Sequence, residues 1–369
     1  PSAGSSTSHD NMVTPPATTH MSSLENSSRL VSLLTLDIRH YRNVFNGKLI
    51  LMDAINGDEI TRIELGDEFR NRFKNPYAVV HRGDLHGVFL NACKENNLIE
   101  MSTNTNIISY EQNSNGVFAI SDDGNKINGI ALVGAEGLWS KIRAQLVGDG
   151  PPKVSGHTTY RSVIPIDQMP EELRWNAATL WAGPKCHIVH YPIHGGKSFN
   201  LVVTYHNDAL EPVAGKQVSK DVVRKGFEHV NSIAKQIIEK GKDWKLWVLC
   251  DRDPVTKWVD RKVAVLGDAA HPMLQYLAQG ACMAIEDAVC LSEEVKNEKE
   301  NIEQALINYQ NKRMLRTARV QLHSREIGKH VYHADGVHAL LRNQIMKSKT
   351  QDDWYNDIEW LYGRTGLDN

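Results

Sequence analysis

The chain of 369 residues is 41% hydrophobic and 23% charged, with a formal net charge of −2, which permits one or two buried cores and gives no indication of nucleic-acid binding. Its five cysteines are scattered and lack CxxC spacing, and its histidines form no HExxH pattern, so we expect neither a metal site nor a disulfide framework. Because no apolar run approaches ~20 residues and the N-terminal residues lack the apolar core of a signal peptide, we expect no membrane span and a cytoplasmic location.

Residues 1–28 are a low-complexity segment. They are rich in Ser, Thr, Pro and Asn and nearly lack large apolar side chains, so they cannot bury enough surface to fold and are predicted to be disordered. A hairpin is predicted next, because Asn56-Gly57 lies between the apolar runs Lys48–Met52 and Ile60–Leu65.

Short strands dominate the middle of the chain. Asn106–Gln112 and Gly116–Ser121 alternate in polarity around a polar turn, and Asn128–Gly134 is a further candidate. From residue 151 the sequence becomes rich in β-branched and aromatic residues, which predicts a mixed or antiparallel sheet over residues 151–254.

The C-terminal part is predicted to be helical from Ile302 to Met346, followed by a tail rich in Trp and Tyr that could serve a homodimer interface. Its histidines are interpreted as surface or packing residues: His323, His330, His333 and His338.

The stretch Val263–Asp287 contains the strongest local signal. A short apolar run, Val263–Leu266, predicts one buried strand, and Gly267-Asp268 stands at its end, before a turn and an amphipathic helix. A carboxylate at this place can accept hydrogen bonds from cofactor hydroxyl groups, while the helix N-terminus faces negative charge. An ordinary strand–loop–helix unit with a capping Asp is the alternative from the pattern alone.

The residues Gly267–Pro272, Gly-Asp-Ala-Ala-His-Pro, closely resemble the GD motif of single-component, class A FAD-dependent aromatic hydroxylases. Leu274–Ala281 is similar to the 3-hydroxybenzoate 6-hydroxylase branch, and most other relatives have proline where this chain has Gln275. The resemblance implies an α/β fold: an incomplete Rossmann-like FAD-binding domain, an inserted mixed or antiparallel β-sheet substrate domain and a helical C-terminal region.

The implied domain limits make the FAD-binding domain discontinuous. It would comprise residues 29–150 and 255–369, including the C-terminal helices, with the substrate domain at 151–254. The family begins with a βαβ unit that carries GxGxxG and binds the ADP half of FAD. That unit is absent from this sequence, so the resemblance covers residues 45–369 and we expect FAD to bind weakly or not at all.

The resemblance also implies which residues contact FAD. Asp268 would hold the ribityl or pyrophosphate region, Pro272 would shape the turn, and the backbone at Gln279, Gly280 and Ala281 would face the isoalloxazine ring. Arg82, at a strand-to-helix junction, matches an arginine that contacts the flavin, and a guanidinium suits phosphate and hydroxyl oxygens.

The stretch Gly134–Arg143 resembles the family's DG motif, which lies near flavin and nicotinamide. Glu136 stands where relatives have Asp, and the extra methylene displaces the carboxylate by roughly 1.5 Å. Glu136 and Arg143 are therefore further predicted cofactor contacts; a glycine turn that opens a polar helix is the structural alternative.

His187 and Tyr191 alternate along one predicted strand and so share a face. A lone strand histidine is more often a structural residue, but in the resembled branch a matching His, Tyr and Gln surround the substrate. The resemblance thus implies that His187 and Gln275 are catalytic and that Tyr191 binds substrate. A neutral histidine could draw the phenolic proton and make the ring more electron-rich.

The implied reaction inserts one oxygen atom of O2 into a small phenolic acid such as 3-hydroxybenzoate, para to its hydroxyl group, to give gentisate, with FAD as cofactor and NADH or NADPH as reductant. Two alternatives remain: a truncated FAD-domain remnant without catalysis, and a related flavin enzyme of different chemistry, such as a decarboxylating, salicylate-type hydroxylase or an epoxidase.

Overall fold

The computed structural model describes residues 20–21, 44–363, 365 and 367. The segment predicted to be disordered, residues 1–28, lies outside this range except for one short strand at 20–21. The strands are, in chain order, β1 (His20–Met21), β2 (Val44–Phe45), β3 (Lys48–Asp53), β4 (Glu59–Glu64), β5 (Ala78–Val79), β6 (Ile99–Glu100), β7 (Ile107–Asn113), β8 (Gly116–Ser121), β9 (Lys126–Gly129), β10 (Leu132–Gly134), β11 (Lys153–Pro165), β12 (Ala177–Gly183), β13 (Cys186–Ile193), β14 (Ser198–His206), β15 (Lys216–Gln217), β16 (Lys245–Asp251), β17 (Val259–Asp260) and β18 (Val263–Val265).

The helices cover the faces of the sheets and form the C-terminal region. A π-helical turn, Gly328–Tyr332, lies between the helix that ends at Ile327 and the helix that begins at Gly336. No helix in the described ranges is both long and apolar enough to span a bilayer. The α-helices are α1 (Asp67–Phe73), α2 (Arg82–Glu95), α3 (Lys141–Val147), α4 (Lys220–Lys225), α5 (Ser232–Lys240), α6 (Gly280–Asn297), α7 (Ile302–Ile327), α8 (Gly336–Ser348) and α9 (Gln351–Tyr362).

An eight-stranded sheet is the larger β element, with strand order β15-β16-β11-β14-β13-β12-β3-β4. Its neighbours are antiparallel except for the parallel pair β12–β3, so the predicted mixed sheet is confirmed. One face packs on α4 and α5 through a core that includes Trp181, Phe199 and Phe227. The opposite face is left for the side chains of the candidate site.

The hairpin β3–β4 forms as predicted, but it extends this large sheet. The domain limits inferred from the sequence assigned it, within residues 29–150, to the FAD-binding unit. β3 instead runs parallel to β12, with Ile50 opposite Thr179, and Ile50 and Met52 belong to the same apolar core as Trp181. The Asn-Gly turn fixes the hairpin locally and carries no information about the strand beside it, which is why this assignment needs correction.

A smaller, three-stranded sheet of order β10-β18-β17 holds the predicted strand of the GD motif. β18 is parallel to β10, and its three residues are fully buried. The chain then turns sharply at Gly267, whose φ is +61°, where a Cβ atom would lie 3.2 Å from Ala284 Cβ. Glycine is required here by both the left-handed backbone and the close approach to α6.

A buried carboxylate fixes this turn against the two following helices. Asp287 of α6 is fully buried; its Oδ2 accepts a hydrogen bond from Gly267 N at 3.1 Å and lies 2.5 Å from His271 Nε2. Its Oδ1 accepts from Arg313 Nε at 2.7 Å. Burial alone would raise the pKa of Asp287, but His271 and Arg313 outweigh it, and the pKa is lowered. The carboxylate is therefore ionised near neutral pH.

Replacing Asp287 by Asn should lower the free energy of unfolding by about 3–5 kcal/mol, because Arg313 and His271 then lose a buried anionic partner. Chemical denaturation followed by circular dichroism measures this. Glu293→Gln, an exposed position on the same helix, is the matched control and should change little. Equal stability of the two variants would show that the Asp287 network does not hold the turn.

Candidate active site

The carboxylate of Asp268 lies beside the N-terminus of α6. A Cβ atom on Gly280, the first residue of that helix, would lie 3.7 Å from Asp268 Oδ1. No side chain caps the helix, so its first N–H groups are available to a ligand. Desolvation raises the pKa of Asp268, while His271 and Arg82 act in the opposite direction. A carboxylate, a nearby cation and an open helix N-terminus fit the hydroxyl, phosphate and carbonyl groups of a flavin nucleotide.

The other predicted residues of this turn hold its shape. Pro272 is buried, and its carbonyl accepts from Gln321 Nε2 at 2.8 Å. Gln279 precedes α6, and its Nε2 donates to Tyr362 Oη at 3.3 Å. Gly280 and Ala281 form the first turn of the helix, where their N–H groups point out of its N-terminal end.

Arg143 has protein partners at its guanidinium nitrogens, and its predicted contact with a cofactor stays a prediction. It is fully buried, and its guanidinium donates to both carboxylate oxygens of Asp149 and to the carbonyls of Ala269 and Ala270 at 3.0 and 2.6 Å. The sequence showed a match to a motif but did not show these acceptors, of which the two carbonyls are distant in sequence. Arg143 thus stabilises the GD turn through hydrogen bonds to its backbone.

Glu136 has a structural role in the described chain. Its Oε2 accepts from Ser140 Oγ at 2.8 Å and its Oε1 from Ile142 N at 3.0 Å, so the carboxylate holds the start of α3. This corresponds to the alternative in which a glycine turn opens a polar helix. Its predicted contact with a cofactor stays a prediction.

Arg82 is the exposed first residue of α2 and acts electrostatically on Asp268 and on Arg161. Beside it, His81, Asp84 and His194 bring three possible metal-ligating atoms within 4.8 Å of one another. The cation at Arg82 and the positive end of the α2 dipole both disfavour a metal ion there.

His187 and Gln275 are brought together on the face of the large sheet that lies opposite α4 and α5. The antiparallel register places Thr204 opposite His187 and Thr159 opposite Thr204. Gln275 Nε2 donates to Thr159 Oγ1 at 3.1 Å and to Thr204 Oγ1 at 2.9 Å. The histidine and the amide therefore flank the same threonine, although they are far apart in sequence.

Tyr191 lies on the same face but at its other end. Four residues of extended chain separate it from His187, about 13 Å along the strand. Its phenol is hydrogen-bonded to Asn200, the residue opposite it, and burial raises its pKa. His187 and Tyr191 thus mark two ends of one surface.

Arg161 is a site residue that the sequence analysis missed. It follows Thr159 on the same face of β11, its Nη2 lies 3.3 Å from Gln275 Oε1, and its guanidinium is 5.4 Å from the Trp247 ring centroid. Desolvation lowers its pKa, Tyr191 opposes this, and Arg82 adds to it. No carboxylate of the described residues forms an ion pair with it. The period-two pattern, which places Arg161 on the same strand face as Thr159, was the signal that could have identified it.

A second missed group surrounds His187. Its Nδ1 lies 2.8 Å from His333 Nε2, and the two rings stack with centroids 5.0 Å apart. The ring of Tyr332 lies edge-on at 4.8 Å, and the hydroxyl of Tyr276 lies 2.5 Å from His157 Nδ1. The interpretation of His333 as a surface or packing residue was therefore incomplete.

The histidines of this group are neutral near pH 7. Burial, followed by the charges of His333 and His157, lowers the pKa of His187 well below 6.5. Burial is also the main reason that the pKa of His333 falls to about 3 and that of His157 to about 4. Neutral imidazoles retain a lone pair that can accept a proton from a ligand.

Comparison with known proteins identifies relatives over most of the chain. A family model described as FAD binding domain matches residues 61–323. The chain is 51% identical to 3-hydroxybenzoate 6-hydroxylase 1 of Aquipseudomonas alcaligenes, over 89% of this chain and 83% of that protein. It is 42% identical to 3-hydroxybenzoate 6-hydroxylase of Klebsiella oxytoca, over 91% of this chain and 84% of that protein.

Solved structures share the fold. A salicylate hydroxylase substrate complex aligns with a TM-score of 0.76 at 20% identity, over 92% of this chain and 86% of that one. Klebsiella pneumoniae HpxO complexed with FAD and uric acid aligns with a TM-score of 0.77 at 21% identity, over 94% and 88%.

Replacing Asp268 by Ala should weaken FAD binding by about tenfold to a hundredfold, because a hydrogen bond to a charged group contributes about 1.5–3 kcal/mol. Quenching of flavin fluorescence during titration of the protein measures the dissociation constant. Asp123→Ala, in an exposed turn, is the control. If both variants bound FAD as the wild type does, Asp268 would not be a cofactor ligand.

Proposed function

The chain belongs to the FAD-binding-domain family that includes the 3-hydroxybenzoate 6-hydroxylases, and we propose that it hydroxylates 3-hydroxybenzoate para to the hydroxyl group. One oxygen atom of O2 enters the ring to give gentisate, and the other leaves as water, with two electrons from NADH or NADPH. Relatives at 51% and 42% identity bear this activity in their names. A homodimer and a cytoplasmic location stay predictions.

One observation carries the choice of substrate class. On the sheet face opposite α4 and α5, the neutral imidazole of His187 and the guanidinium of Arg161 lie on either side of the Gln275 amide. Gln275 contacts Thr204, beside His187, through its Nε2 and Arg161 through its Oε1. A hydroxybenzoate carries a phenol and a carboxylate on one rigid ring. The phenol suits the imidazole, and the carboxylate suits a guanidinium that has no acidic partner in the described chain.

His187 acts as the base for the phenol. Its lowered pKa keeps the ring neutral, and its Nδ1 is occupied by His333, which leaves Nε2 for the substrate hydroxyl. Transfer of the phenolic proton to Nε2 places negative charge on the substrate oxygen and raises electron density at the para carbon. FAD, when bound and reduced, supplies the activated oxygen that this carbon attacks.

Gln275 positions the two ends of the substrate surface relative to one another. Both polar atoms of its side-chain amide have partners, since Nε2 donates to two threonines and Oε1 accepts from Arg161. Proline at this place could make none of these contacts. Tyr191 closes the surface beyond Arg161 and contacts the substrate from that side.

Purified protein supplied with FAD should consume NADH faster when 3-hydroxybenzoate is added, and chromatography should identify 2,5-dihydroxybenzoate as the product. A panel with salicylate, 4-hydroxybenzoate and benzoate tests the substrate class. Release of CO2 from salicylate at a higher kcat/KM would instead favour the decarboxylating alternative. Absence of turnover in protein that holds FAD would favour the non-catalytic remnant.

Arg161→Gln should raise the KM for 3-hydroxybenzoate by about tenfold to a hundredfold, because the carboxylate loses a charged partner. The dissociation constant of 3-hydroxybenzamide, which has no carboxylate, should change much less. Lys235→Gln is the control, since Lys235 is an exposed cation on α5, which packs on the other face of the sheet. Equal losses for the acid and the amide would contradict the role of Arg161 as carboxylate ligand.

A further inference from the structure

We propose that His333 takes the substrate proton from His187 and passes it to solvent, so that the two histidines form a relay. This inference rests on the proposed function, because the proton concerned is that of the phenol bound to His187. His333 acts through His187 and does not touch the substrate.

The geometry provides one hydrogen-bonded connection between the two rings. His187 Nδ1 and His333 Nε2 are 2.8 Å apart, and the ring planes differ by 26°. Nδ1 is the ring nitrogen of His187 that has a hydrogen-bond partner within residues 44–363. His187 is only 1% exposed, whereas His333 is partly exposed. A proton that arrives on His187 therefore has a direct path to a group that touches water.

Proton transfer along this path balances without any further reactant. The phenol O–H bond breaks as a bond forms to His187 Nε2. The Nδ1–H bond of His187 then breaks as a bond forms to His333 Nε2, and His333 Nδ1 releases its proton to water. Both rings are then neutral again, and in each ring the proton has changed from Nδ1 to Nε2. The positive charge has moved from a buried position towards the surface.

A buried imidazolium at His187 is costly, which gives the relay its purpose. The pKa of His187 is depressed by burial, then by His333 and His157, so the ring cannot hold the phenolic proton for long. Because His333 is in hydrogen-bond contact with His187 and can accept its proton, the buried positive charge on His187 exists for a shorter time. The general base is then effective although its own basicity is low.

The surrounding contacts leave His333 as the acceptor of the proton from His187. His157 faces His333 with ring centroids 5.0 Å apart, but its Nδ1 is engaged by the hydroxyl of Tyr276. His206 lies next to His157 at 4.5 Å and within 3.4 Å of Asp208, which is exposed. Burial, followed by His157 and His206, lowers the pKa of His333 to about 3, so a proton that reaches His333 is released to water and is not retained.

The backbone that carries His333 is built for this contact. His333 follows the π-helical turn Gly328–Tyr332, and its N–H donates to Gly328 O at 3.0 Å. A Cβ atom on Gly328 would lie 2.6 Å from the Tyr276 ring, so this close packing needs glycine. Tyr332 Oη donates to Tyr276 O at 3.0 Å. The π turn thus anchors His333 to the loop that carries Gln275; such turns are frequent at functional sites.

Two substitutions separate a relay from a purely structural contact. His333→Gln keeps an amide oxygen that can accept from His187 Nδ1 but cannot pass a proton onward. His333→Ala removes the ring and leaves space that added imidazole can fill. His330→Gln is the control, because His330 is exposed and pairs with Glu326 on the same segment.

The experiment mixes each protein, supplied with excess FAD, with 3-hydroxybenzoate in weak buffer and follows phenolate absorbance and a pH-indicator dye by stopped flow. In His333→Gln we expect phenolate formation and proton release to slow by at least about tenfold, within the range of general acid–base effects, with kcat reduced and KM nearly unchanged. Imidazole should restore the rate of His333→Ala, and His330→Gln should match the wild type.

The outcomes distinguish the relay from the proposed function. If His187→Ala abolishes proton release while His333→Gln equals the wild type, the relay is wrong and the base assignment stands. If His187→Ala releases the proton as the wild type does, the base assignment fails and the relay with it. Loss of activity in His333→Ala without imidazole rescue, together with a wild-type rate in His333→Gln, identifies a structural contact and overturns the relay.

Discussion

The buried carboxylate of Asp287 is the interaction on which the candidate site depends. It holds the start of the GD turn through Gly267 N and the middle through His271, while Arg313 compensates its charge from α7. Arg143 donates hydrogen bonds to the carbonyls of Ala269 and Ala270 in the same turn. A buried ion is costly unless it is fully paired, and here two of the contacts of Asp287 fix the turn that carries Asp268 and Gln275.

This turn sets the distance between the two halves of the chemistry. Asp268 stands at its beginning, next to the N-terminus of α6, and Gln275 stands seven residues later, against Thr159 and Thr204 of the large sheet. The predicted cofactor contact Asp268 and the predicted substrate contact Gln275 are thus attached to one short segment of the chain.

Local patterns predicted the parts of the site that are encoded locally. Strand alternation placed His187 and Tyr191 on one face, and the motif at Gly267 marked the cofactor turn. The contact between His187 and His333 spans 146 positions, and no periodicity connects them. Arg143 shows the converse case: its motif matched, but Asp149 and the carbonyls of the turn, which occupy it, became visible only in three dimensions. Long-range acceptors decide such roles, and sequence spacing does not encode them.

The C-terminal region belongs to the site as much as the sheet does. Tyr332 donates a hydrogen bond to the carbonyl of Tyr276, and Gly328 packs against the Tyr276 ring, so the π turn and the Gln275 loop are in direct contact. The hydrogen-bond partner of His187, the proposed base, is His333, which comes from this region. The low pKa of His187 and the approach of His333 therefore have one origin, because the segment that helps to bury His187 also supplies its hydrogen-bond partner.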